Sequence, residues 1–323
     1  MENRTSFFNT TSVVETKHES NGLPLFAKIT ITLMIIVSIV VTVGNSLVIA
    51  AIVKFERLRD ITGVFIANLA IADLIIGASL PFQIVFFFYP SLEANKYSCL
   101  LRYLVISFAC NASIYSLVCT VLDRYIAIIY PLHYYEIMTK RVAYIMVGLI
   151  WTVDVIFQSI PLFVVNDYDQ SPFCLYEVVM DKWYRCANLV HGIVLAFIMF
   201  MLYMNIFLIV HKHVTRIQSE AIVQSESRQR QVAKQMNTSI AMVVLFFHIS
   251  WLPFFLIQLT MLDVGQVTQT KVMVANFLVF LGIFNSVVNP FVYAWKNKQY
   301  RRAFRKLLGL SVRDEDSAVT AIA

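Results

Sequence analysis

Charge is scarce in this chain. Of its 323 residues only 14% are Asp, Glu, Lys or Arg, against roughly 25% in a soluble domain. Hydrophobic residues reach 59% and the mean hydropathy is +0.69, so the composition points to the bilayer. Cysteine is scarce too: five residues are too few for a disulfide scaffold, and no C-x-x-C pair marks a zinc site. His248 and Asp73 have no metal-ligating neighbours in sequence, so no enzymatic chemistry is expected. The start shows no cleavable signal pattern, since the first apolar run begins only near Leu25 and is long, and the first span is expected to act as its own signal anchor. Internal repeats, the mark of many transporters, are absent. The net charge of +6 is modest and gathers in particular loops, so no nucleic-acid partner is expected.

What is present is seven apolar segments, each near or above the ~20 residues that cross a hydrocarbon core. They lie at 26–54, 61–89, 97–130, 140–164, 183–213, 231–262 and 270–295. The expected fold is therefore an all-α membrane protein, a seven-helix bundle over 24–295. Lys54, Arg57 and Arg59 follow the first span, Lys140 and Arg141 the third, Lys212, Arg216, Arg228, Arg230 and Lys234 the fifth. Lys296, Lys298, Arg301, Arg302, Arg305 and Lys306 follow the last. The positive-inside rule makes that side cytoplasmic. Residues 1–23 form a polar amino-terminal tail in which Asn3 and Asn9 open glycosylation acceptor triplets, so the tail is expected outside and the carboxyl terminus inside. Over 296–310, Tyr300, Ala303, Phe304, Leu307 and Leu308 recur at helical spacing among basic residues. That is the pattern of an eighth helix lying in the interface on anionic headgroups. Residues 311–323 read as a disordered cytoplasmic tail.

Polar residues inside spans are costly and become functional candidates. On the third span, Ser107 and Asn111 fall on one side and Ser113, Ser116 and Thr120 on another, and the span closes on Asp123-Arg124-Tyr125. Asn45 sits in the first span, Asp73 in the second, and Asn285, Ser286 and Asn289 in the seventh ahead of Pro290. With Ser113 they compose a polar mid-bundle site, whose carboxylate among neutral oxygens suits a small hard cation or a water network; static polar packing is the alternative. In the sixth span Trp251 lies two residues before Pro253, a kink beside a large ring that can sense what occupies the bundle. Cys99 and Cys174 both face an oxidising compartment, which favours a bridge that would pin the loop before the fifth span across the mouth. Cys110 and Cys119 read as plain buried thiols and Cys186 as free.

The set Asn45, Leu69-Ala70-Ile71-Ala72-Asp73, Cys99, Asp123-Arg124-Tyr125, Trp151, Trp251-Leu252-Pro253 and Asn289-Pro290-Phe291-Val292-Tyr293 resembles the rhodopsin-like G-protein-coupled receptors over about residues 24–310. The resemblance implies that Asp123 holds Arg124 until it meets a heterotrimeric G protein, and that Tyr203 and Tyr293 swing toward Arg124 on activation. It also implies an allosteric sodium ion on Asp73 with Asn45, Ser113, Asn285 and Asn289, and no other cofactor. Arrestin and a receptor kinase are further implied partners, and the plasma membrane the implied location. Three departures stand out: Ala233 and Lys234 replace an acid that would lock Arg124, so raised basal activity is expected; Leu195 replaces a proline; and the first outer loop lacks a tryptophan.

The same resemblance lines an extracellular small-molecule pocket with Gln83, Ile106, Ser107, Cys110, Tyr176, Glu177, Asn188, His191, Trp251, Phe254, Phe255, Gln258 and Val279. Ile106 stands where amine receptors carry an aspartate, and Ile283 where opsins carry a lysine. Cys174-Leu175-Tyr176-Glu177 and the run Asn285–Ala294 look most like adenosine receptors, whereas Gln258, Gly282 and Ile283 differ from that subfamily's nucleoside contacts. The ligand therefore stays open between an adenosine-like molecule, a lipid, and an amine held by Asp154 or Glu177. A seven-span transporter is the remaining alternative.

Overall fold

The computed structural model describes residues 25–171, 173–219 and 227–310, with side chains described except at residue 26 and at 210–239. Asn3, Asn9 and the tail at 311–323 lie outside the described residues, and Ala233 and Lys234 lie among the undescribed side chains. In chain order the helices are α1 (Leu25–Lys54), α2 (Ile61–Phe88), α3 (Lys96–Ile129), α4 (Tyr134–Ile137) and α5 (Lys140–Phe163). There follow α6 (Tyr176–Val179), α7 (Lys182–Ser219), α8 (Ser227–Leu259), α9 (Gln269–Ile283), α10 (Asn285–Lys296) and α11 (Lys298–Leu307). Among the described residues, seven stretches are long and apolar enough to cross a membrane, lying in α1, α2, α3, α5, α7, α8, and α9 with α10 as the seventh. In hydrocarbon a backbone must satisfy its own polar groups, and a helix does so within one segment.

The helices start where the sequence supplies an acceptor. Asp60, Asn95, Thr139, Thr268 and Asn297 each accept from a backbone N–H of the following turn, satisfying donors that a helix start leaves orphaned. The fifth and sixth spans outrun their apolar segments at the basic ends, because Lys, Arg, Gln and Glu are good helix formers once outside the lipid.

The third span is the axis of the bundle, packing against α2, α5, α7 and α8. A continuous core of Leu69, Ile76, Leu80, Ile114, Leu117, Phe247 and Trp251 runs between them. The outward faces carry exposed Leu149, Ile156, Phe197, Phe207 and Leu245, which suits a lipid surround rather than water.

The seventh span changes helix at Phe284. Pro290, one turn into α10, has no N–H to give to the carbonyl of Ser286. That carbonyl instead accepts from Asn45 Nδ2 of the first span at 3.2 Å, and the same amide reaches Val41 O at 3.0 Å. The proline thus creates an acceptor inside the bundle and Asn45 fills it. In the sixth span α8 continues through Pro253 as one helix, and α7 runs unbroken past Leu195.

The expected eighth helix is present as α11, and its apolar face is shared. Tyr300, Ala303 and Phe304 are buried against Val48, Ala51, Ile52 and Tyr293, so the first span takes most of it. Leu308 remains 56% exposed, beside the basic residues that suit headgroups.

Candidate functional site

Three sites lie along the third span. In the middle, Asp73 is 0% exposed. Its Oδ1 accepts from Ser113 Oγ at 2.9 Å and Ser286 Oγ at 2.7 Å, and its Oδ2 from Asn289 Nδ2 at 2.7 Å. Three spans therefore converge on one carboxylate. Around it, Asn45 Oδ1, Asn285 Oδ1 and Asn289 Oδ1 are buried without a hydrogen-bond partner. A cavity of about 10 Å³, roughly the space of one water, is bounded by Cys110, Ser113, Asn285, Ser286 and the Trp251 ring. Trp251 is held from above by Phe254 and Phe255, with ring centroids at 5.6 and 6.2 Å, and from below by Phe247 at 6.3 Å. Gly282 lets it lie there: a Cβ at that position would come within 2.7 Å of the indole.

At the carboxyl-terminal end of the third span, Asp123 is fully buried and saturated. Its Oδ2 takes Arg124 Nε at 3.0 Å, Arg124 Nη2 at 2.5 Å and Thr62 Oγ1 at 2.8 Å; its Oδ1 takes the Tyr134 hydroxyl at 2.7 Å. Arg124 Nη2 also donates to Thr62 Oγ1. Burial, reinforced by the hydrogen bond to Asp123, pushes the Tyr134 phenol well above its ordinary value, so it stays a donor. Charge-assisted bonds of this type contribute about 1.5–3 kcal/mol each. Tyr125 packs half-buried against the central core. Tyr293 stacks on Tyr300 at 5.5 Å in the cluster of α1 and α11, while Tyr203 packs against the central core; the two tyrosines lie in separate clusters here.

At the amino-terminal end of the third span, Cys99 and Cys174 form a disulfide with Cα atoms 5.9 Å apart. Tyr103 donates to Cys174 O at 2.9 Å and its ring meets Tyr176 at 5.7 Å. Below the loop runs a polar chain: Asn188 Nδ2 donates to the Tyr176 hydroxyl and Asn111 Nδ2 to Asn188 Oδ1, each at 3.3 Å. Glu177 is 5% exposed. Burial pushes its carboxyl above the usual glutamate value, opposed by the Arg185 guanidinium and a hydrogen bond from Gln258. Arg185 is itself tied to Met261 O at 2.8 Å and Leu262 O at 3.1 Å. Lys96–Asp169 at 2.5 Å and Lys182–Asp263 at 2.7 Å clamp the loop edges.

A model of the seven-transmembrane receptors of the rhodopsin family matches residues 44–293. The chain belongs to that family. This receptor is 29% identical over 308 residues to the Alpha-1A adrenergic receptor of Oryzias latipes, covering 83% of this chain and 64% of that one. It is 30% identical over 279 residues to the Neuropeptide Y receptor type 2 of Mus musculus, covering 81% and 71%. It is 26% identical over 297 residues to the Adenosine receptor A2a of Canis lupus familiaris, covering 86% and 71%. These relatives are receptors and not enzymes, and their names span three different kinds of ligand.

Within the receptor, Ile106, Cys110, Trp251, Phe254, Phe255 and Val279 belong to one cluster at the bundle's centre. Glu177 and Gln258 face each other above it, and half-buried Ser107 lies on the third span beside Ile106. Two expected pocket residues are engaged elsewhere. Gln83 pairs with Arg102, accepting from its Nε at 3.0 Å and donating to its carbonyl at 2.6 Å, while Arg102 also bonds Glu93 at 2.7 Å. His191 Nε2 pairs with the Tyr115 hydroxyl at 2.6 Å, toward the fourth span. Sequence reasoning passed over Thr62 and Tyr134 at Asp123, and the bond that Trp151 Nε1 donates to Asn68 Oδ1 at 2.8 Å.

Proposed function

We propose that this receptor binds an extracellular small molecule under the Cys99–Cys174 loop and activates a heterotrimeric G protein through Arg124. The observation that carries the reading is the closed state of Arg124: its guanidinium is occupied by Asp123 and Thr62 at the end of the axial helix. A contact bound by several bonds on one side is a two-state element, biased from outside by a ligand and from inside by a partner that competes for the arginine. Trp251, Pro253, Asn289, Pro290, Tyr203 and Tyr293 are the parts that would rearrange. Arrestin and a receptor kinase are proposed to meet the same inner face. The loop charges support a plasma-membrane receptor with its amino terminus outside, Asn3 and Asn9 bearing glycans and its carboxyl terminus inside.

The mid-bundle site fits a sodium ion. A buried carboxylate with three amide oxygens left unpaired is an oxygen-rich ligand set for a hard cation. Asp73, Ser113, Asn45, Asn285 and Asn289 would hold it. Its positive charge would neutralise the carboxylate and favour the closed arrangement. On the outer side, Tyr176, Glu177, Asn188 and Gln258 favour a ligand that offers both a flat face and hydrogen-bond donors, as an adenosine-like molecule does. Ile106 removes the amine contact from the third span.

The test is nucleotide exchange on reconstituted G proteins by cells or membranes expressing Arg124→Ala. Loss of both basal and ligand-driven exchange at normal surface level is expected; undiminished exchange overturns the assignment.

A further inference from the structure

The fourth span docks on the bundle through a narrow stripe: Ala143, Ile150, Asp154, Gln158 and Pro161. Two of those five residues are polar. Asp154 is 0% exposed; neither carboxylate oxygen has a partner within 3.5 Å, and the Gln158 amide is the one side chain that acts on it as a hydrogen-bond donor among the described residues. One turn on, Gln158 accepts the Tyr184 hydroxyl at 2.6 Å, and its Nε2 is left unpaired. His191 Nδ1 is a further unpaired buried atom, on the ring whose other nitrogen meets Tyr115. Phe157 closes the group, with ring centroids 5.6 Å from both His191 and Tyr184.

The titratable groups facing Asp154 are Cys110 and Tyr115 from the third span and Tyr184 from the fifth. Asp73, from the second span, acts on Cys110 as well. Neither Lys nor Arg acts on the carboxylate. An ionised carboxylate in this position, 0% exposed and with no opposite charge acting on it among the described residues, is a strongly disfavoured state of a buried acid.

Three occupants relieve such a group: a metal cation, a water or a proton. A hard cation takes several oxygens; at Asp73 three spare amide oxygens meet that need, whereas the group beside Asp154 is the Gln158 amide nitrogen, a donor and not a ligand. The cavity under Trp251 is bounded by other residues and does not include Asp154, Gln158 or His191. A proton needs no volume, and it converts one acceptor oxygen into a donor. We propose that Asp154 is a proton-binding site, and that the contact of the third, fourth and fifth spans is assembled around its neutral carboxylic acid. Losing the proton places a bare charge in the docking stripe and loosens the fourth span from the bundle.

The full-length receptor in lipid nanodiscs tests this by infrared spectroscopy in H2O and D2O. Wild type is expected to show a protonated-carboxyl band near neutral pH that shifts in D2O and is missing from Asp154→Asn. As pH rises past the ordinary aspartate value of about 4, wild type should lose stability relative to Asp154→Asn, by up to about tenfold in the unfolding equilibrium per pH unit. An unchanged band in the folded variant, or a stability difference independent of pH, overturns the proposal. So does a sodium-dependent stabilisation that survives Asp73→Asn and is lost in Asp154→Asn, since the occupant would then be a cation. Should Asp154→Asn not fold, Asp73→Asn/Glu177→Gln still carries the test: a remaining acid band supports the site, and its absence refutes it.

Discussion

Gly282→Ala is the smallest change that addresses the Trp251 switch directly. A Cβ at 282 would stand 2.7 Å from both Cε2 and Cζ2 of the indole and 2.9 Å from Cδ2. Carbon atoms rest at roughly 3.5–4.0 Å, so the ring must move by about 1 Å. Room is limited, because Phe247, Phe254 and Phe255 flank the indole and the neighbouring cavity is about 10 Å³. Overpacking of this kind costs about 1–3 kcal/mol. If that cost falls on the closed arrangement alone, the closed-to-open ratio drops by roughly 5- to 150-fold. Ligand-free nucleotide exchange should rise, and the melting temperature of the closed receptor should fall. Trp251→Phe added to Gly282→Ala removes the larger ring and should recover part of the stability. Normal stability and normal basal exchange in Gly282→Ala would refute the packing argument. Lower stability with unchanged exchange would show that the indole fills space without gating.

Tyr134→Phe deletes one of Asp123's donors while leaving Arg124 in place. The loss of a charge-assisted bond, about 1.5–3 kcal/mol, should raise basal exchange several-fold, read against a surface-expression control. Asp73→Asn should abolish any dependence of thermal stability on sodium chloride, compared with potassium at equal ionic strength; a sodium effect that persists removes the ion from that site. For Glu177 the folded-state value lies above the ordinary 4.5, so the folded receptor holds the proton more tightly than the unfolded chain. Stability of wild type relative to Glu177→Gln should therefore be greatest at low pH and fall as pH rises past about 4.5. Parallel melting curves at all pH values would contradict the burial of that carboxyl.

Much of the candidate site was legible before the fold. The carboxylate of Asp73, the hydroxyl of Ser113 and the amides of Asn45, Asn285 and Asn289 stand out because polar groups inside apolar spans are few. The Asp123-Arg124 pair stands out for the same reason, and the structure adds that Thr62 and Tyr134 share it. Partner choice was not legible. Gln83 and His191 have the right depth for a ligand contact, but they turn to Arg102 and Tyr115. The rotation of each span decides this, and a helix apolar on all sides gives little sign of which face meets which neighbour.

By itself the sequence determined the number of spans, their order, the side that collects positive charge and the short list of polar residues that must find partners in lipid. Those follow from local chemistry, since a run of about 20 apolar residues satisfies its backbone as a helix whatever surrounds it. Only the tertiary structure decided that Ser286 and Asn289 both close on Asp73, that Pro290 hands the Ser286 carbonyl to Asn45, that Gly282 seats Trp251, and that Asp154 is buried with the Gln158 amide and no cation beside it among the described residues. Each of these joins residues on different helices, where the contact depends on how the helices pack and not on any one stretch of chain.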